Sequence, residues 1–269
     1  MNISCQYRWE LVSRRFINEH ILSVQVGTGQ QEHIAKPSSP SSALIRGCSA
    51  MAVAFFAPEL ASSGVDQLCM LFNYLTSHIS SSSSPTLEFY LAVGLGMIIQ
   101  KLCCEGHADE NGTEITNLIL NNMRRLESCC YGEDDSDMRT GPLLGLVAAV
   151  CGLSRTKNSE CHSFVDHTRS WLYKRLKQED STTLTYEVLC LSVSWVFMAS
   201  GAANLVSLSD VEELFRWFEE KRQEAPQCGG TAVSIGFLVD TLQRLGHNDA
   251  PNLRETLLKL WLRILTSEV

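Results

Sequence analysis

The sequence predicts an all-α fold, a solenoid of antiparallel helix pairs, along most of its 269 residues. Three observations carry that prediction. Strongly apolar segments of helical length recur along the chain, each is followed by a more amphipathic segment, and no strand signal competes with them.

The apolar openers are Ala43–Pro58, Thr86–Cys104, Thr140–Leu153, Thr183–Ser200 and Gly230–Leu245. Each carries a small residue near its middle: Gly47, Gly94, Gly145, Ser192 and Gly236, spaced by 47, 51, 47 and 44 residues. A small side chain lets a neighbouring helix come close, which justifies a helix-interior glycine despite its cost of about 1 kcal/mol. Spacing of this kind lies in or near the range of HEAT and armadillo repeats. The run Leu143–Val150 could pass for a buried strand by composition. The openers are nevertheless too long for strands and rich in Ala, Leu and Met, which favours helix.

The followers are Ser62–Thr76, Glu114–Cys129, Ser163–Lys177, Ser209–Lys221 and Asn252–Thr266, with apolar residues at helical spacing. Phe164, Trp171, Leu172 and Leu176 share a face in the third. Val211, Leu214, Phe215 and Phe218 do so in the fourth. Leu253, Leu257, Leu260, Ile264 and Leu265 do so in the fifth, with Trp261 beside them. A hairpin alone would expose its apolar side; stacking on the next removes that side from water.

Helix ends have their own signals. Ser209 with Glu212 matches a capping box. Asp249 followed by Pro251 suits a cap and first turn, Pro142 belongs in a first turn, and Gly246 stops the helix before it. Ahead of the array, residues 1–42 hold one further helix and a loop. Tyr7–Val24 carries the stripe Trp9, Val12 and Phe16, widened by Ile17 and Ile21, and reads as the second half of a repeat. Gly27–Ser42 is a polar Pro/Ser-rich loop, and residues 43–269 form about five hairpins.

A net charge of -8 argues against direct nucleic-acid binding, which needs clustered Lys and Arg. The pairs Arg14-Arg15, Arg124-Arg125 and Lys221-Arg222 are too small to change that and read as solvated helix faces. Charged residues make up only 19% of the chain, so part of the surface is expected to be covered by other protein. Eleven cysteines in no regular framework, with charges throughout the first twenty residues in place of a secretory core, read as reduced thiols in the cytoplasm. The uncharged stretch Val188–Ser209 is long enough to span a membrane. Its serines, Gly201 and Asn204, and the lack of a flanking basic anchor, favour a buried helix.

No motif supports catalysis or a cofactor. Cys103, Cys104 and His107 are close in sequence, as are Cys161 and His162, but there is no C-x2-C pair. Adjacent cysteines diverge around a helix, and the pairs Cys103-Cys104 and Cys129-Cys130 fall at opposite edges of the helical layer. Cys104 could approach Cys161 and His162 at one edge, where the structural reading is ordinary thiols. A Cys161-His162 nucleophile would need both side chains aimed together, which adjacency disfavours. The acidic connector residues Glu133, Asp134, Asp135 and Asp137 lack the ligand spacing of a calcium loop. They read as a solvated link and as the one candidate for docking a basic partner. Trp171, Trp217 and Trp261 are expected mainly in packing, with one left as a docking anchor.

The G-x-G helix in Leu91–Met97 and the L-L-G-L helix in Pro142–Leu146, with the closing helices Thr183–Gly201 and Thr231–Gly246, resemble the focadhesin family of armadillo/HEAT-type proteins. The resemblance extends over roughly residues 43–269 and implies a C-terminal portion or short form of a longer protein. It also implies an adaptor that associates with focal adhesions and supports the cytosolic SKI complex of RNA decay. It transfers no functional residue. The expected function is therefore a non-enzymatic protein-binding scaffold; a membrane-associated helical protein and an enzyme with a cryptic Cys/His site are the alternatives.

Overall fold

The computed structural model describes residues 40–81, 84–131, 138–179, 183–224 and 229–267. The expected N-terminal helix Tyr7–Val24 lies outside them. The described elements are α-helical apart from one 3-10 turn, with a lone bridge between Tyr131 and Met138. They are α1 (Pro40–Val53), the 3-10 turn Ala54–Phe56, α2 (Ala57–Ser63), α3 (Val65–Ser81), α4 (Pro85–Cys104) and α5 (Glu114–Ser128). There follow α6 (Thr140–Leu153), α7 (Ser159–Leu176), α8 (Leu184–Ala202), α9 (Leu208–Glu224), α10 (Gly229–Arg244) and α11 (Ala250–Ser267).

The ten expected helices of the array are present, with local corrections. Helix α1 begins at Pro40, so Ser41 and Ser42 are helical and not loop. The first opener ends at Val53, because the chain tightens into a 3-10 turn before Pro58 enters the first turn of α2. The first follower starts at Val65, after Gly64 takes a φ of 137° that a side chain would oppose.

Side-chain caps fix several starts. Ser84, Thr113 and Thr183 each accept a backbone N–H from the residue three further on, at 3.4, 3.1 and 3.0 Å. The capping box of α9 lies two residues earlier than the sequence suggested. Ser207 Oγ accepts from the Asp210 N–H and Asp210 Oδ2 accepts from the Ser207 N–H, both at 3.2 Å. Leu208 is already helical, so Ser209 falls inside the helix and cannot cap it. The same cap corrects the stretch Val188–Ser209: α8 ends at Ala202, Asn204 turns at a φ of 58°, and a new helix follows. Among the described residues, Pro85–Cys104 and Leu184–Ala202 are long and apolar enough to cross a membrane, and about half of each is buried within the protein.

The chain divides into two compact units, Met1–Cys161 and His162–Val269. In the first, α1, α4 and α6 lie side by side, while α3 packs on α4 and α5, and α5 packs on α6. The openers run parallel. Gly47 meets Tyr90 and Gly94 meets Ala50; one layer on, Gly141 meets Phe89, Gly145 meets Ala92 and Gly152 meets Gln100, each pair advancing together along both helices. Helices α4 and α6 touch backbone to backbone, because a Cβ on Gly96 would overlap the Gly145 carbonyl, and one on Gly145 the Ala92 carbonyl. Helix α6 is apolar all round and buried at every position from Gly141 to Leu153 except Leu144, as a helix covered on all sides must be.

In the second unit α8 and α10 also run parallel. A Cβ on Gly230 would lie 2.7 Å from the Glu187 Cα, and one on Gly201 2.5 Å from the Thr241 Cγ2. These two helices bury small polar residues: Ser192, Ser194, Ser200, Thr231, Ser234 and Thr241 are all buried. Ser194, Ser234 and Thr241 return their hydroxyls to carbonyls four residues back. Helix α9 buries Val211, Leu214 and Phe218 as expected and packs on α10. Helix α7 buries Val165, Leu172 and Leu176, while Phe164 and Trp171 stay partly exposed.

Replacing Gly96 or Gly145 with Ala should cost about 2–3 kcal/mol, since rigid backbone opposes the new methyl group. Gly229 faces open space at the start of α10, so Gly229→Ala should be neutral or stabilise by about 0.5 kcal/mol. Urea denaturation followed by circular dichroism tests the contrast; equal midpoints would refute a tight α4–α6 seam.

Candidate protein-docking groove

Helix α10 has two different sides. Ile235, Leu238 and Leu242 are buried, whereas Val233, Gly236, Phe237, Asp240 and Gln243 line the opposite side and stay at least partly open. Gly246, at a φ of 82°, reverses the chain. Asp249 then starts α11: its carbonyl accepts from Leu253 and its carboxylate from Asn252, with Pro251 in the first turn as expected.

Helix α11 returns across the open side of α10. Trp261 covers Gly236 so closely that a Cβ there would lie 2.9 Å from the indole Cη2. Gly236 therefore does allow close helix approach, but by the partner in its own hairpin; Gly230 meets the preceding opener. Around this crossing lies a groove of about 350 Å³, lined by Val233, Phe237, Leu257, Leu258 and Trp261, with Asp240 and Arg254 at its edges. Val233, Leu258 and Leu262 remain 43%, 48% and 62% exposed. Asp240 holds Arg244 at 2.7 Å, while Arg254 meets no carboxylate among the described residues. Such a surface can receive an apolar side chain and a charge.

Helical spacing in the sequence marks Trp261 but neither Leu258 nor Leu262. Helix α11 holds more apolar residues than one face can bury, and that excess was the available signal. Of the three recurring tryptophans, Trp171 and Trp217 are also partly exposed. Trp217 packs edge-on against Tyr173, with centroids 6.5 Å apart.

The acidic candidates Glu133, Asp134, Asp135 and Asp137 lie outside the described residues. Their flanks are held firmly: Tyr131 and Met138 form a bridge, and the Arg139 N–H donates to the Cys130 carbonyl at 3.0 Å. The Arg139 side chain pairs with Glu88 and donates to the Ile79 carbonyl at 3.3 Å.

The approach of Cys104 to Cys161 and His162 that the sequence allowed is not the one that forms. Cys104 is exposed, with Arg155 Nη1 at 3.8 Å, and it is the buried Cys103 that feels Cys161. Residue 103 points inward because it lies one helical step, about 100°, from residue 104. Cys129 instead meets Ser80 at 3.5 Å, on the far side from Cys103, in keeping with the predicted opposite edges. No group of His, Cys, Asp and Glu among the described residues is arranged to hold a metal ion. Burial, and secondarily Cys161, pushes the Cys103 thiol well above its usual range; burial does the same for Cys130 and raises Cys151 to about 12. Thiolate, the reactive form, is therefore suppressed at these positions.

Over 236 residues the chain is 27% identical to focadhesin of Danio rerio, covering 85% of this chain and 13% of that protein. The chain resembles focadhesin. The Mus musculus and Homo sapiens focadhesins are each 25% identical over 233 residues, with the same coverage. The likeness thus spans nearly all of this chain and about one eighth of these much longer relatives. No protein-family model matches the chain. No solved structure matches it.

Among the described cysteines, alkylation at pH 7.5, followed by peptide mass spectrometry, should modify Cys48 and Cys104 first and leave Cys103, Cys130 and Cys151 protected. Raising the pH to 9 should still leave Cys103, Cys130 and Cys151 protected, since burial holds their protons. Equal labelling throughout would contradict the burial.

Proposed function

We propose that this chain is a non-enzymatic, protein-binding scaffold built as an α-solenoid, with its working life at focal adhesions. The observation that carries the reading is the parallel, in-step stacking of consecutive openers, α1 on α4 on α6 in one unit and α8 on α10 in the other. Stacked hairpins bury one another and leave long surfaces free for partners, which is the use of such arrays. The focadhesin likeness supports the adhesion assignment, and the α10–α11 groove supplies a surface for it. The division into residues 1–42 and an array over 43–269 belongs to the same proposal. A role with the SKI complex stands on the family resemblance alone.

A membrane-associated reading keeps two supports, the lengths and apolarity of Pro85–Cys104 and Leu184–Ala202. Carbonate extraction decides between them: the scaffold reading expects the chain in the supernatant, and a chain held in the pellet would overturn it.

Proximity labelling from the full chain in adherent cells should enrich focal-adhesion proteins. The variant Leu258→Asp/Leu262→Asp should reduce that enrichment about tenfold or more, because it places charge on an apolar docking face. Labelling indistinguishable from an unfused enzyme would refute the proposal.

A further inference from the structure

We propose that the α10–α11 groove is a self-association face that receives a second copy of this chain about a two-fold axis. The inference rests on the reading of this groove as a protein-docking surface. Its ground is that the face complements itself. It holds a recess beside Gly236 where α11 crosses α10, and it also holds projecting apolar groups, Leu258 and Leu262, of a size to enter such a recess. Isologous association requires this: every surface element must find its complement on the same patch.

Charge gives the second and independent part. Arg254 lines the groove from α11 with no carboxylate partner among the described residues, and Asp240 lines it from α10. Two-fold pairing sets Arg254 of each copy against the partner's Asp240, so this one contact forms twice. Asp240 already holds Arg244 at an exposed site, with side chains 46% and 58% accessible, and that pair costs little to share. An acidic chain of net charge -8 repels its own copies at a distance, and Arg254, a cation lining the apolar groove, offsets that repulsion locally and sets register. A groove open to water and apolar on its floor gains most when water leaves it, and Val233, Phe237 and Trp261 supply that floor.

Sedimentation velocity on the full chain over a hundredfold concentration range tests this. A reversible monomer–dimer equilibrium is expected, lost in Leu258→Asp, whose exposed position leaves the helical signal intact. Arg254→Asp and Asp240→Arg should each weaken association about tenfold, and combining them should restore it to within about threefold. A strictly monomeric chain overturns the proposal. So does a dimer indifferent to all of these changes. A photo-crosslinking residue at position 258 separates this proposal from the docking reading beneath it. A product of twice the chain mass supports self-association. A product with a different protein overturns it and leaves the groove a docking surface, and no product at all removes both.

Discussion

The contact on which the fold of the first unit depends is main chain against main chain, where Gly96 of α4 faces Gly145 of α6. Each helix-interior glycine costs about 1 kcal/mol of helix stability relative to alanine. That cost is offset because the helices approach far enough to seal Leu95, Ile99, Leu146 and Val150 completely from water. Gly141 and Gly152 extend the contact toward both ends of α6, so the whole length of the helix is held and not one crossing point. Once that distance is set, α3 and α5 have a fixed surface on which to lay their amphipathic faces.

The second unit reaches close approach by different chemistry. Helices α8 and α10 use serines and threonines, and Ser194, Ser234 and Thr241 turn their hydroxyls back on their own helices, so they bring small size without a demand for outside partners. This explains how α8 combines a membrane-like length with a buried polar seam. Small hydroxyl residues favour helix contact in lipid as well as in a protein interior, so composition alone does not separate the two environments.

Much of this was legible in the sequence. Helix positions followed from period and length, and the central glycines announced close packing, because both signals are local and few alternatives satisfy them. Register was less legible. Ser207 and Ser209 offer nearly equivalent caps, and the choice depends on where α8 stops, which Asn204 decides with a backbone conformation that no simple pattern marks. Which cysteine faces inward was illegible for a related reason: a rotation of one residue exchanges Cys103 for Cys104 as the inward thiol. The groove was hidden because its edge is a surplus. Leu258 and Leu262 fall off the core face that spacing assigns to α11, and only the geometry shows them exposed while Leu257 is buried.

Parallel helices in register have a consequence for how the chain is made. Every major opener contact in a unit joins residues about one hairpin apart, so no helix waits for a distant part of the sequence. Helix α6 could not persist alone in water, since it has almost no side that tolerates solvent. During synthesis from the N-terminus it emerges when α4 has already been made, and it meets a surface ready to receive it. The order of translation thereby shelters the greasiest segment of the protein from its neighbours in the cell.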